Sequence, residues 1–248
     1  MPQRSVVVTG GASGIGLAIT AAFVAAGDHV VSLGHSPSPA AQCSVVGDVR
    51  VPDDHRRAVE AACEALGGVD VLIANAGIHD GGADLSRDPD DLAAVMRSVF
   101  DVDVVGYVLA IQAASESLRE RRGSIVMTLS DAAFLAGQTG AGIAYTAAKH
   151  AGLGVLGWTA RALAPEVRVN AVAPGGVITS LHAVGADGTG RPLFDDADAK
   201  RDLIRSRNAL GTVMEPAELA ELYLWLASPA ARTLTGEVLR PDGGLRLR

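Results

Sequence analysis

Tyr145 and Lys149 stand four residues apart in an Ala-rich stretch that reads as helix, so both side chains project from one face. A phenol with an ordinary pKa near ~10 is a poor base at neutral pH. A neighbouring ammonium stabilises the phenolate, and is expected to lower that pKa toward a working general acid and base. Ser130 ends an apolar run and is expected to hold a reacting oxygen beside the phenol. The spacing of Tyr145 and Lys149 is also that of an ordinary surface contact. The rest of the chain has to decide between the two.

A second group of residues points to a dinucleotide. The segment Thr9-Gly10-Gly11-Ala12-Ser13-Gly14-Ile15-Gly16 follows an apolar run and opens a helical one. Glycines at 10, 14 and 16 permit a tight turn, approach of a phosphate to backbone N–H groups, and close helix–strand packing. Three further segments fall at the ends of other apolar runs. Asp48 and Val49 are expected to flank an adenine, Asn75-Ala76-Gly77 to keep the backbone near a ribose, and Pro174-Gly175-Gly176-Val177-Ile178-Thr179 to bring a threonine to a carboxamide. Any one of these is an ordinary turn; together, at one edge of one sheet, they describe a binding cleft.

That edge requires a particular architecture. Short β-branched runs lie at Val6–Val8, His29–Leu33, Ser44–Val46, Val69–Ile73, Ser124–Leu129, Val167–Val172 and Glu237–Leu239, without the alternation of half-exposed strands. Helical segments lie between them near Leu17–Ala26, Asp53–Leu66, Leu92–Leu118, Ala144–Leu163 and Ala217–Leu226. The alternation predicts an α/β fold: a Rossmann-type, doubly wound parallel sheet of about seven strands with helices on both faces. No linker or repeat divides the chain, so residues 1–248 are expected to form a single domain. Gly34–Gln42 is too rich in Pro and Ser for a helix, and that crossover is expected to be abbreviated. Ser180–Asp198 mixes Gly, Pro and acids with Leu181, Val184, Leu193 and Phe194, and marks a substrate lid at 180–205.

Composition narrows the class. With 48% apolar residues and few aromatics, the 248-residue chain can bury a large core of small side chains without disulfides or metal. A net charge of −7 without a basic block argues against nucleic acid and anionic membrane as partners. Cys43 and Cys63 have no metal or redox motif around them and are expected to be reduced, buried thiols. The N-terminus runs straight into the first strand and no apolar stretch is long enough to span a bilayer, so a cytoplasmic protein is expected.

In the order and spacing of Thr9–Gly16, Asn75-Ala76-Gly77, Ser130, Tyr145-x-x-x-Lys149 and Pro174–Thr179, the chain resembles the short-chain dehydrogenase/reductase family over essentially its whole length. The resemblance implies a nicotinamide-dependent oxidoreductase with Tyr145 as acid/base, Lys149 positioning the ribose and tuning the tyrosine, and Ser130 orienting the substrate oxygen. Two positions depart from the family. Where its helical asparagine anchors a proton-relay water, this sequence has Asp103, which is expected to hold the water while altering its pH dependence. Where NAD users carry an acid at the end of the second strand, this sequence has Gly34 followed by His35. Ser13 puts no cation in the glycine turn for a 2′-phosphate, so NAD is the expected cofactor, with NADP admitted.

Further segments are similar to the bacterial aromatic cis-dihydrodiol dehydrogenases: Asn75–Asp80, Tyr145–Ala151, Leu163–Asn170 and Asp242–Leu245. This implies oxidation of one carbinol of a cis-diol, followed by tautomerisation to a catechol. Against it, the Ser130–Tyr145 loop is two residues longer than that subgroup's. A ketone or hydroxy-compound reductase using NADPH is the alternative within the family, and a non-catalytic dinucleotide sensor the alternative outside enzymes. Of the histidines, His79 and His182 border the expected pocket, while His29, His35, His55 and His150 read as solvated or partly buried; no pair has metal-ligand spacing. Relatives are commonly tetramers, and small residues such as Gly154 and Gly157 suit a helix seat for a second subunit, so a homotetramer is expected.

Overall fold

The computed structural model describes every residue except 1, 138, 180, 185–189, 193–196 and 248; for 182, 184, 190–192 and 197 it describes the backbone alone. Seven parallel strands form the central sheet: β1 (Ser5–Thr9), β2 (His29–Gly34), β3 (Cys43–Val46), β4 (Val71–Ala74), β5 (Ser124–Thr128), β6 (Arg168–Val172) and, last in the chain, β9 (Val238–Leu239). Their spatial order is β3-β2-β1-β4-β5-β6-β9, so the winding reverses between β1 and β4. Ligands of doubly wound sheets bind at such a reversal, beyond the carboxyl ends of the strands.

Both faces of the sheet are buried, which is why the strands show no polar alternation. Within β1, Val7 belongs to one core and Val6 and Val8 to the other. Helices α2 (Pro52–Leu66), α4 (Gly106–Arg121) and α5 (Ile143–Leu163) cover the first face; α1 (Gly14–Ala25) and α7 (Pro216–Leu226) cover the second. Elements end where the chemistry requires it. Gly67, at φ +73°, takes the left-handed position that closes α2, and Pro216 opens α7 behind a Glu215–Glu218 capping box. The segment between β2 and β3 holds no helix, in keeping with its prolines.

Three expectations need correction. The segment Leu92–Leu118 is not one helix. The helix α3 (Pro89–Phe100), N-capped by Asp88, runs into a π-helical turn over Asp101–Val105 before α4 begins. The stretch expected to be an irregular lid contains an antiparallel pair, β7 (His182–Val184) with β8 (Gly190–Pro192), and a helix, α6 (Ala197–Arg207). Leu193 and Phe194 of that stretch lie outside the described residues. Cys43 and Cys63 are half-buried free thiols rather than buried ones, because β3 is an edge strand and Cys63 sits in the last turn of α2. His55, in contrast, is buried, with its Nε2 2.7 Å from the Val49 carbonyl. Among the described residues no helix is long and apolar enough to cross a membrane.

Candidate active site

A cleft of about 920 Å³ opens along the carboxyl edge of the sheet. Its floor at one end is the glycine turn. Gly10 (φ +71°) and Gly14 (φ +53°) hold backbone conformations that side-chain-bearing residues rarely adopt. A Cβ on Gly16 would come within 2.1 Å of the Gly10 carbonyl oxygen, so the helix can start this close only on glycine. Ser13 is the N-cap of α1 and its side chain makes no capping hydrogen bond. The positive end of that helix, with its free N–H groups, therefore faces the cleft.

The other strand ends complete the wall. Gly34, His35 and Ser36 line it after β2, and Gly47 and Val49 after β3. Asp48 does not line it. Its carboxylate is drawn to Arg50 at 2.5 Å, and that hydrogen bond, working against partial burial, holds its pKa below the usual carboxylate value. The expected adenine-flanking acid is thus turned outward while its neighbour Val49 turns in. Asn75 is fixed from both sides: its N–H donates to Thr9 Oγ1 at 2.9 Å, its Nδ2 to the Thr9 carbonyl at 3.1 Å, and its Oδ1 accepts from Thr128 Oγ1 at 3.0 Å. Ala76, Gly77, Pro174, Gly175, Val177 and Thr179 line the cleft as expected, with Thr179 packed 3.3 Å from where a Gly14 Cβ would lie. An elongated ligand with a phosphate between two ring systems fits this outline: backbone donors at mid-length and strand-end turns on either side. A nicotinamide dinucleotide is such a ligand.

At the far end the structure brings Ser130, Tyr145, Lys149 and Asp103 together. Lys149 and Tyr145 share a face of α5, with the ammonium 5.3 Å from the phenol ring centre. That ammonium lies 2.9 Å from Asp103 Oδ2, 3.2 Å from the Thr128 carbonyl and 3.4 Å from Tyr107 Oη. The 2.9 Å contact with the carboxylate is a buried ion pair. Asp103 Oδ1 accepts from the Ile78 N–H at 2.9 Å. The π-helical turn supplies Asp103, and Gly77 leaves room for it; a Cβ there would stand 3.0 Å from Oδ2. Asp103 also touches the lysine directly, a contact that its sequence position does not announce.

The pairing sets the charges at this end of the cleft. Burial opposes charge on Lys149, but Asp103, Tyr107 and Tyr145 outweigh it and hold the ammonium's pKa well above the usual lysine value. Burial also pushes the Asp103 carboxyl up against the pull of that ammonium, so the pair owes its charges to mutual contact. Tyr145, however, is raised rather than lowered. Burial of the phenol is the largest cause; Lys149 pulls the pKa down as expected, and the Asp103 charge acts against Lys149.

Four residues beyond these were not singled out as site residues by the sequence. Ser130 Oγ donates to Asp131 Oδ1 at 2.7 Å and accepts from the Ala132 N–H, so Asp131 shares the serine's proton. Burial pushes the Asp131 carboxyl up while the serine hydrogen bond pulls it down. Tyr107, fully buried, donates to the Thr128 carbonyl at 2.6 Å and fixes the floor beneath Lys149. Asp80 is buried and accepts from the N–H groups of Gly82, Gly142 and Tyr145 at 3.1, 2.9 and 3.0 Å. It caps α5 from 65 residues before Tyr145, because a side chain at the N-cap Gly142 would collide with Ala83. His79, noted in the sequence only as a border residue, stacks on Tyr145 with ring centres 4.6 Å apart. His182 lies outside the described side chains.

Comparison with known proteins agrees with this architecture. A family model described as enoyl-(acyl carrier protein) reductase matches residues 10–246. The 1,2-dihydroxy-1,2-dihydronaphthalene dehydrogenase of Pseudomonas putida is 36% identical over 255 residues, covering 99% of this chain and 98% of its own. The cis-2,3-dihydrobiphenyl-2,3-diol dehydrogenase of Pseudomonas sp. strain KKS102 is 38% identical over 253 residues, covering 98% of this chain and 91% of its own. Among solved structures, the aldohexose dehydrogenase of Thermoplasma acidophilum superposes with a TM-score of 0.85 at 29% identity, covering 99% of this chain and 95% of its own. With the glycine turn, the strand-end wall and the Ser130–Tyr145–Lys149 group in one cleft, the chain belongs to the short-chain dehydrogenase/reductase family, oxidoreductases that act on CH–OH groups with a nicotinamide cofactor.

Proposed function

We propose that this protein oxidises a cis-dihydrodiol of an aromatic ring to the catechol, with NAD as hydride acceptor. The observation that carries the reading is the meeting of Ser130, Tyr145 and Lys149 at one end of the cleft, in a chain full-length similar to two dihydrodiol dehydrogenases. Tyr145, as phenolate, takes the proton of one ring hydroxyl. Ser130 holds that oxygen, its proton swinging from Asp131 to the substrate as negative charge develops. Lys149 steadies the phenolate, with Asp103 setting how strongly. The bound nicotinamide supplies the acceptor for the hydride leaving the carbinol carbon. The hydroxyketone so formed tautomerises to the catechol, and aromatisation draws the oxidation forward.

Gly10, Ser13, Gly14, Ile15 and Gly16 hold the pyrophosphate in this reading; Gly34, His35 and Val49 face the adenosine half, and Asn75, Ala76, Gly77, Pro174, Gly175, Val177 and Thr179 the nicotinamide half. Segment 180–205 acts as the substrate lid, since Leu181, Lys200, Leu203 and Ile204 all line the cleft. A homotetramer, in the cytoplasm, is the assembly we infer: Trp158 on α5 is 73% exposed, and a Cβ on either Gly154 or Gly157 would meet open space. The test is to mix the protein with NAD and the cis-dihydrodiols of naphthalene and biphenyl, following nicotinamide absorbance and catechol. Reduction of NAD with catechol release is expected. No reaction with any diol, but NADPH-dependent reduction of ketones, would transfer the assignment to the reductase reading, which the missing acid at Gly34 favours.

A further inference from the structure

His79 is placed to read a second substrate oxygen. The residue is 7% exposed, and its ring stacks on Tyr145 at 39° and lines the same end of the cleft as Ser130 and Tyr145. The ring's protonation is fixed by its neighbours. Gly81, in the left-handed region at φ +66°, donates its backbone N–H to His79 Nδ1 at 3.0 Å. A ring nitrogen that accepts carries no proton, so the neutral imidazole holds its hydrogen on Nε2. Asp80 Oδ1 lies 3.6 Å from Nδ1, but both Asp80 oxygens are already engaged by backbone N–H groups. Burial lowers the imidazole's pKa and favours the same neutral form. Nε2–H has no partner among the described residues, and the backbone bridge between His79 and Ala183 holds the loop in place.

We infer that His79 donates from Nε2–H to the hydroxyl adjacent to the one Tyr145 deprotonates, and so selects vicinal diols over lone carbinols. The inference rests on the dihydrodiol reading. Cis oxygens on neighbouring ring carbons lie side by side, as the imidazole and phenol do here. A carbinol without the second oxygen leaves the Nε2–H facing the cleft unpaired, which disfavours it.

The test compares kcat/KM with NAD for cis-1,2-dihydroxytetralin and for 1-tetralol, which differ only in the second hydroxyl, alongside the naphthalene dihydrodiol. His79→Phe keeps a ring on Tyr145 but removes the donor; the diol-to-carbinol ratio is expected to fall about tenfold, mainly through the diol's KM. His79→Gln returns an N–H near the Nε2 position and is expected to recover most of the ratio. Phe and wild-type ratios within about twofold of each other, or no recovery with Gln, would overturn the role of His79 while leaving the dihydrodiol reading standing. A wild-type protein that oxidises no cis-diol at all would overturn both.

Discussion

The carboxylate of Asp103 lies 2.9 Å from the ammonium of Lys149, and both side chains are almost wholly withdrawn from solvent. A lysine that would otherwise stabilise the Tyr145 phenolate is thereby partly neutralised. The proton-transfer group is tuned by Lys149 and Asp103 in opposition rather than by the lysine alone.

Asp103→Asn removes the negative charge and keeps an oxygen for the Ile78 N–H. Asp103 raises the tyrosine's pKa and Lys149 lowers it, so the variant's phenol should ionise at lower pH. Oxidation needs the phenolate, and its rate rises as pH passes that pKa. The rising limb of the kcat/KM–pH profile is therefore expected to move to lower pH in Asp103→Asn. Asp103→Leu leaves a buried unpaired ammonium and should lose about 3–5 kcal/mol of stability, read by denaturant melts. Superimposable profiles for wild type and Asn would remove Asp103 from the tuning.

Tyr145→Phe is expected to lower kcat by about 10²–10⁴, the usual range for a lost general acid/base. Its NAD affinity, by fluorescence titration, should stay within about threefold of wild type, since the glycine turn is untouched. Retained steady-state turnover would dismiss the phenol from the mechanism.

The sheet was readable because both-face burial leaves uninterrupted β-branched runs such as Val6–Val8, and the glycine turn because backbone demands of that kind admit few other residues. The Tyr145–Lys149 pair follows from helical spacing alone. What stayed hidden depends on distant contacts. Helix α6 carries only Leu203 and Ile204 as large apolar residues, too weak a pattern to stand out among flanking Gly, Pro and Asp. The π-helical turn leaves no mark in an apolar stretch, although Asp88-Pro89 does announce the start of α3. The sign of the Tyr145 shift follows first from how deeply the fold buries the phenol and then from Asp103, which meets Lys149 from 46 positions away; neither shows in local spacing.

Gly16→Ala tests the cradle. Its Cβ would press on the Gly10 carbonyl at 2.1 Å and on Asn75 Nδ2 at 2.5 Å, both fixed parts of the turn. NAD affinity should fall by at least about tenfold, or about 1.4 kcal/mol. Affinity equal to wild type in a folded variant would show that the turn does not hold the cofactor.

Cofactor preference turns on Gly34. A Cβ there would lie 3.8 Å from Gly10 Cα, so an aspartate side chain can be accommodated. Wild type is expected to prefer NAD modestly and accept NADP, because no carboxylate repels a 2′-phosphate. Gly34→Asp should sharpen that preference chiefly by weakening NADP, as measured by kcat/KM for both cofactors. A wild-type preference for NADP of tenfold or more, about 1.4 kcal/mol, would favour the reductase reading.

Asp80→Ala orphans the N–H groups of Gly82, Gly142 and Tyr145 together. It is expected to cost at least about 2 kcal/mol of stability and to lower kcat more than it weakens NAD binding. Unchanged melting and kcat would mean that the catalytic helix needs no such cap.

That cap also bears on the order in which the molecule acquires activity. The first turn of α5 carries Tyr145, and the carboxylate that caps it comes from the loop after β4, 65 residues upstream of the tyrosine. Helical structure in this segment can form in microseconds, but long-range closure is slow. During refolding, the far-ultraviolet signal of α5 should therefore return well before enzymatic turnover. A peptide spanning only Ile143–Leu163 should fray at its catalytic end.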